Sequence, residues 1–276
     1  MAGKANVGLQ LYTVRDELSR DFVGTLETVK KLGYEGVEFA GNYGGLAAAD
    51  LKKLCAELGL EILSTHCSFE NFEKDFEGSL AYHKELGVRY LAIPWMPADK
   101  CPGKPGFESM RGLFCDMQKA LAAEGIQLLY HNHDFEFIPH PDGGLVYDRL
   151  IESVPGLNPE FDVCWVTYSG NDPVAYLNKF AGRVDVVHLK DFEGRNSEPA
   201  YALIDADGNA VAAEKTEAVN TFRFRPVGSG VVRMPEVLAA ALAGGTKSFI
   251  VEQDDCYGDA FGAAEQSRAW LRTMGL

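Results

Sequence analysis

Basic side chains are scarce in this 276-residue chain: 26 lysines and arginines face 40 aspartates and glutamates, a formal net charge of −14. So acidic a surface repels phosphate backbones and anionic membranes, which argues against nucleic acid and membrane as partners. Long apolar runs are missing as well. No stretch approaches the roughly 18 residues of a membrane span, and the opening MAGKANVGLQ carries no hydrophobic signal region. The cysteines, Cys55, Cys67, Cys101, Cys115, Cys164 and Cys256, are scattered without a C-x-x-C pair. Reduced thiols and a cytoplasmic location are the expectation. Also absent are a low-complexity linker and a G-x-G-x-x-G turn after the first strand-like segment.

What the chain does have is a hydrophobic content of 46% and one alternation repeated along its length. That content suffices for one large α/β domain or two smaller ones. The strand-like segments are Val7–Thr13, Gly36–Phe39, Glu61–His66, Tyr90–Pro94, Gln127–Phe137, Glu160–Val163, Val184–Leu189 and Ser248–Val251. Between and after them, apolar residues at helical spacing predict helices over Asp21–Leu32, Asp50–Leu58, Phe76–Leu86, Phe107–Glu124, Val146–Ile151, Asp172–Phe180, Met234–Ala243 and Phe261–Met274. Eight β-then-α units predict a single-domain (β/α)8 TIM barrel; a doubly wound open sheet shares the alternation but lacks its glycine signature here.

One connection breaks the rhythm. About 40 residues part Leu189 from Met234, far more than an ordinary loop. We read residues 192–226 as a lid-like insertion over the barrel mouth, with YALIDADGNAV forming a hairpin that turns at Asp207-Gly208. An oligomer contact or a passive insertion are its plainer uses.

The strand ends carry the chemistry. Gln10, Tyr12 and Arg15 follow the first strand, Glu38 ends the second, His66 the third, and Trp95 lies just past the fourth. The fifth runs into YHNHDFEF with His131, His133 and Glu136; the sixth offers Asp162 and Trp165, the seventh His188 and Lys190, the eighth Glu252 and Asp254. Residues two apart on a strand share a face, so His131 pairs with His133, His188 with Lys190, and Glu252 with Asp254. Such mixed nitrogen and oxygen donors suit a divalent transition ion better than Ca²⁺. Each residue also has a plainer use. His188 could be a packed core imidazole, Asp162 a cap on the next loop, Trp95 simple packing. Their common placement at the strand ends favours the chemical use. His83 and His140 lack that placement, and Glu160 falls one layer lower, as a buried structural carboxylate.

The pieces LQLYTVRD, GYEGVEF, STH, YHNHDFEF, FDVCW, VVHLKD, PVGSG and VEQD run in order from residue 9 to residue 254. Together they resemble the sugar phosphate isomerase/epimerase family with its xylose-isomerase-like barrel. The resemblance implies one divalent ion, manganese first and zinc, cobalt or magnesium as alternatives, held by four side chains from strands five to eight. Asp162, His188 and Glu252 match three of those positions. Many relatives have a glutamate before Asn-His at the fourth; here the tripeptide is His131-Asn132-His133, so His131 stands in the glutamate's place and Glu136 is the other candidate.

The implied chemistry is isomerisation or epimerisation of a sugar, keto-sugar or inositol-like compound, by proton transfer next to a carbonyl through an enediolate. Glu252 would be one acid/base, and the second would come from Glu136, His131, His133 or Lys190. A lyase or dehydratase, eliminating from a 3-keto sugar or C-glycoside, needs only one strong carboxylate base. The resemblance further implies substrate contacts from Glu38 and His66 and pocket walls from Lys190 and Trp165; Trp95, an aromatic at a strand end, suits a pocket wall and plain packing equally. Arg223 and Arg225 are candidates for a sugar phosphate or for neutralising the acidic surface. A zinc-dependent apurinic-site endonuclease is disfavoured by the acidic charge, and a catalytically inert sugar-binding barrel by the intact Asp162, His188 and Glu252. Homodimer and homotetramer both remain open.

Overall fold

The computed structural model describes residues 5–195 and 221–276. Eight parallel strands close into a barrel: β1 (Asn6–Gln10), β2 (Gly36–Ala40), β3 (Glu61–His66), β4 (Tyr90–Ile93), β5 (Gln127–His131), β6 (Asn158–Asp162), β7 (Val186–Leu189) and, after a two-stranded excursion, β10 (Ser248–Val251). β10 pairs with both β7 and β1, so no barrel edge is left open. The excursion consists of β8 (Asp191–Glu193) and β9 (Arg223–Arg225), paired antiparallel. The expected (β/α)8 barrel is therefore the fold. The expected hairpin at Asp207-Gly208 lies outside the described residues.

The helices form where the spacing predicts. Phe22–Leu32 starts at Asp21, whose carboxylate accepts the Gly24 N–H at 2.9 Å, and stops at Gly33, which takes a left-handed φ of 91°. It buries Thr25, Leu26 and Val29. Asp172 accepts from Val174 N–H, with Pro173 in the first turn of the helix Pro173–Lys179. Two short helices, Arg15–Arg20 and Phe69–Lys74, add to the expected set. The sixth strand ends one residue early. Val163 opens a helix, Val163–Tyr168, because the Asp162 carboxylate caps it.

Two apolar layers support the mouth. A small cluster of Leu63, Tyr90, Ala92, Leu129, Val186 and Ile250 is separate from the large core that packs strands against helices. Strand alternation places it inside the barrel. Leu63 reaches in over Gly8 and Gly36, which are register partners; a Cβ on either would strike it. Two residues past Leu129, Val186 and Ile250 on β5, β7 and β10 stand His131, His188 and Glu252, which form the floor of the mouth.

Candidate active site

Alternation and register bring Glu38, His66, Glu160 and His188 into a lower tier at the barrel's C-terminal end. His131, Asp162 and Glu252 form the tier above, and His188 belongs to both: the donor atoms of each four-residue group lie within 4.8 Å of one another. The register sets this stacking. His131 is partnered with Glu160 and Asp162 with His188, so the residue that ends one strand lies beside an inward-facing ionisable residue of the next.

In the lower tier Glu38 accepts from four side chains. Gln10 Nε2 donates at 2.5 Å, Ser64 Oγ also donates, and His66 Nε2 and His188 Nε2 lie at 3.0 and 2.8 Å. Burial alone would raise this carboxyl, but His66 and His188 hold it well below the usual range. Glu160 Oε2 is 2.6 Å from His66 Nε2, and burial together with the charge on Glu38 pushes Glu160 up to about 7. Burial works against charging His66, yet Glu38 and Glu160 raise it to about 10. Glu38 is fully buried and both its oxygens meet protein donors, so it sits beneath the mouth. That differs from the expected substrate contact, and the barrel's layer spacing is the reason. His66, 9% exposed, remains at the mouth's margin.

The upper tier divides the work of Asp162 between its two oxygens. Oδ1 accepts the Trp165 N–H at 3.0 Å as a helix cap, while Oδ2 points inward, 3.4 Å from His131 Nε2 and 3.3 Å from Lys190 Nζ. Glu252 Oε2 lies 3.0 Å from His188 Nδ1, 2.9 Å from Lys190 Nζ and 3.9 Å from His131 Nε2. Burial would raise Glu252, but Lys190 and His188 hold it well below the ordinary carboxylate value. Lys190, buried yet in contact with Asp254, Glu252 and Asp162, is held charged. Burial pushes Asp254 up to about 6 against the pull of Lys190.

These residues fit a divalent cation. Neither ring nitrogen of His131 has a hydrogen-bond partner although the residue is buried, and burial brings its pKa down to about 4, which leaves the neutral imidazole that a metal requires. Asp162 Oδ2 is likewise without a well-directed hydrogen bond. Two imidazole nitrogens and two carboxylates converging in a buried space form a donor set for a first-row transition ion.

Glu136, the other candidate for the fourth ligand, is placed elsewhere. Its Oε1 accepts from Tyr130 Oη at 2.6 Å and its Oε2 from the His133 N–H at 2.8 Å. Tyr130 belongs to the core between strands and helices, so Glu136 is tied to the outer side of β5. The chain turns after His133, and the turn carries the carboxyl away from the mouth. His133 itself stays there, its ring 5.1 Å from His131, 5.8 Å from Trp165 and stacked on Phe135 at 5.5 Å.

The wall is aromatic. Trp165 stacks on Phe222 at 6.1 Å and meets Phe224 edge-on at 5.7 Å, and Lys190 Nζ lies 5.1 Å from the Trp165 ring centroid. Trp95 is half-buried beyond β4. Arg223 and Arg225 flank Phe224 on the exposed side of β9: Arg223 lies over Tyr257 and Arg225 reaches Glu193 at 3.7 Å. Alternation along β9 sends Phe224 inward and both arginines outward, so they do not join the cluster as a phosphate site would require.

Glu160 is buried one layer below Asp162, as expected, and contacts His66 there, whereas sequence reasoning missed Asn132 and Asp191. Asn132 alternates away from the histidines beside it, and its amide bonds the backbone of Asp162 in both directions, at 3.0 and 3.1 Å. A carboxamide framed by two metal-type histidines was the available signal. Asp191 accepts the N–H groups of Phe192, Gly228, Gly230 and Val232, fastening PVGSG against β8. A side chain at Gly230 would strike Asp191.

A closed parallel barrel with ionisable residues gathered at the C-terminal strand ends defines the class: a TIM barrel built for chemistry at that face. Within that class, the chain belongs to the xylose isomerase-like TIM barrel family, whose sequence profile matches residues 26–274. It is 27% identical over 253 residues to a rhizopine catabolism protein of Rhizobium meliloti, covering 83% of this chain and 74% of that one. An inosose dehydratase of Geobacillus thermodenitrificans is 28% identical over 255 residues, covering 82% and 81%. Among solved structures, a sugar phosphate isomerase/epimerase from Parabacteroides distasonis superposes with a TM-score of 0.74 at 22% identity, covering 98% of this chain and 95% of that one. Among the described residues, no helix is long and apolar enough to cross a membrane.

Proposed function

We propose that this protein is a divalent-metal-dependent isomerase or epimerase acting on a sugar, keto-sugar or inositol-like compound, by proton transfer at the carbon next to a carbonyl. The observation that carries the reading is the convergence of His131, Asp162, His188 and Glu252 in one buried cluster beside a charged lysine. Those four residues would hold the ion, manganese first among the candidates. When bound, it would supply positive charge to the substrate's carbonyl and hydroxyl oxygens.

The chain's own residues then have distinct tasks. Glu252 takes the proton as the C–H bond breaks, and the bonding pair passes into the enediolate carbon–carbon double bond. Lys190, an ammonium held among three carboxylates, faces the oxygen on which negative charge grows. The carboxylic acid thus formed on Glu252 returns the proton to the neighbouring carbon, while His133, kept neutral because burial holds its pKa well below the ordinary value, accepts a hydrogen bond from a substrate hydroxyl. His66 edges the same mouth, and Trp165 and Phe224 give an apolar wall that excludes water.

A second reading is elimination of water by the same first half-reaction. The placement of Glu136 behind β5 favours it, because Glu252 then lacks a carboxylate facing it across the substrate. The inosose dehydratase among the relatives points the same way. Here the enediolate expels a neighbouring hydroxyl, which Lys190 protonates.

The test is incubation of metal-loaded protein with a panel of ketoses and keto-inositols in D₂O. Deuterium on carbon without loss of mass supports isomerisation or epimerisation; loss of one water supports the dehydratase. A protein that binds metal yet exchanges and converts none of the panel would sink both. Asp162→Ala and His188→Ala should each lose the ion.

A further inference from the structure

We propose that Glu38 is a positioning residue: it fixes the His188 ring so that Nδ1, and not Nε2, is the nitrogen offered to the cation. This deepens the metal-dependent reading above and rests on it. The two ring nitrogens of His188 face opposite ways. Nδ1 looks toward Glu252 at 3.0 Å, in the upper tier with His131 and Asp162; Nε2 looks down onto Glu38 Oε1 at 2.8 Å. A carboxylate only accepts hydrogen bonds, so without the ion both ring nitrogens carry hydrogen, Nε2–H toward Glu38 and Nδ1–H toward Glu252; a cation in the upper tier would displace the Nδ1 hydrogen and leave Nε2–H on Glu38.

Glu38 is built to hold still. It reaches His188 across the barrel, since β2 and β7 are not neighbours. Gln10 from β1 and Ser64 from β3, the strands flanking β2, both donate to its carboxylate. The His188 ring is confined as well, parallel to His66 at 5.3 Å and edge-on to His131 at 4.6 Å. A side chain pinned by both neighbouring strands, with no exposed surface, has no route to the substrate. Its remaining contacts are His66 at 3.0 Å and His188, the histidine that both tiers share. Outer carboxylates of this kind orient ligating histidines, and their loss typically weakens metal affinity about 10–100-fold.

The experiment uses full-length protein labelled with ¹⁵N-histidine and loaded with Zn²⁺. In the wild type, zinc should shift His188 Nδ1 strongly, while the Nε2–H stays visible and protected from exchange. In Glu38→Ala the affinity for Zn²⁺, measured by chelator competition, should fall about 10–100-fold and the protected Nε2–H should vanish. Glu38→Gln, which keeps an accepting oxygen, should recover part of both. Zinc coordination through Nε2 in the wild type would overturn the proposal without any variant, so poor folding of Glu38→Ala does not shield it. Unchanged affinity and an unchanged Nε2–H in folded Glu38→Ala would overturn it too, with the metal site intact. Failure of wild-type protein to bind zinc or manganese at all would overturn the functional reading, and this proposal with it.

Discussion

The side-chain amide of Asn132 clasps the backbone of Asp162: Oδ1 accepts its N–H at 3.0 Å, and Nδ2 donates to its carbonyl at 3.1 Å. This clasp continues the β5–β6 ladder one step past its last backbone pair, His131 with Glu160. It therefore sets the distance between the strand ends that carry His131 and Asp162. Asn132→Asp replaces the donor with a second acceptor facing a carbonyl. We expect it to cost about 1–3 kcal/mol in urea denaturation and to weaken metal binding, since a buried acceptor is left unsatisfied. Unchanged metal affinity would separate the clasp from the site.

His131 gives the candidate centre two nitrogen and two oxygen donors. Such a set favours Zn²⁺, Co²⁺ and Mn²⁺ over Mg²⁺. Mg²⁺ in about 100-fold excess should fail to displace Co²⁺, followed by its visible spectrum. His131→Glu, which makes the donors harder, should narrow the gap between Mn²⁺ and Zn²⁺ affinities. Equal narrowing by His133→Glu would assign the fourth position wrongly.

Lys190 neutralises Glu252, Asp254 and Asp162 within a buried space. Removing one partner of such a group typically costs about 3–5 kcal/mol, because the remaining charges are stranded. Lys190→Met should show that loss in ion-free protein and a smaller loss with Zn²⁺ present, because the cation replaces the missing charge. Turnover should fall by about 10²-fold or more if the ammonium serves the reaction. Equal destabilisation with and without zinc would separate Lys190 from the metal cluster.

Glu136 gives a pH signature away from the cluster. Burial pushes its carboxyl up to about 8, although Tyr130 and the His133 N–H favour the charged form. An unfolded glutamate titrates near about 4.3. Between those values the folded protein keeps a proton that the unfolded chain has released, so this group lowers stability as pH rises toward 8, and below about 4 it has no effect. Relative to Glu136→Gln, the wild type should lose about 1–3 kcal/mol between about pH 5 and 8 in denaturation series. Parallel pH profiles would mean that the folded carboxyl is already ionised at pH 5.

Phe224 and its neighbours test the orientation of the ribbon. Phe224→Ala opens the wall beside Trp165 and Lys190 and should raise KM several-fold. Arg223→Ala and Arg225→Ala should leave KM within about two-fold, as exposed charges contribute little. A large KM effect at either arginine with a phosphorylated substrate would restore the phosphate role.

The barrel was legible because each unit announces its own start and stop, as Asp21 and Gly33 do around Phe22–Leu32. Asp162, His188 and Glu252 were legible because alternation tells which face a strand-end residue takes. Alternation says nothing of depth. Glu38 reads as a strand end, yet β2 runs on to Ala40, and it is Ala40 that pairs with His66 while Glu38 pairs with Ser64 deeper in the barrel. Glu136 escaped for a related reason: whether the chain bends after His133 depends on Tyr130 across the turn, a contact that spacing does not reveal. Arg223 and Arg225 were read without knowing that Phe224 between them starts a new ribbon with its own inside and outside.

That ribbon makes the insertion modular. β8 and β9 pair through Asp191 with Arg225 and Glu193 with Arg223, and Thr221 N–H closes the stem on the Arg195 carbonyl at 3.1 Å. Asp191 then fixes the outgoing chain to the barrel. Once the two ends are joined, doubling the length between them adds only about 0.6 kcal/mol of closure entropy. Changes in length between 196 and 220 should thus leave the stem and the strand-end residues of the barrel in place.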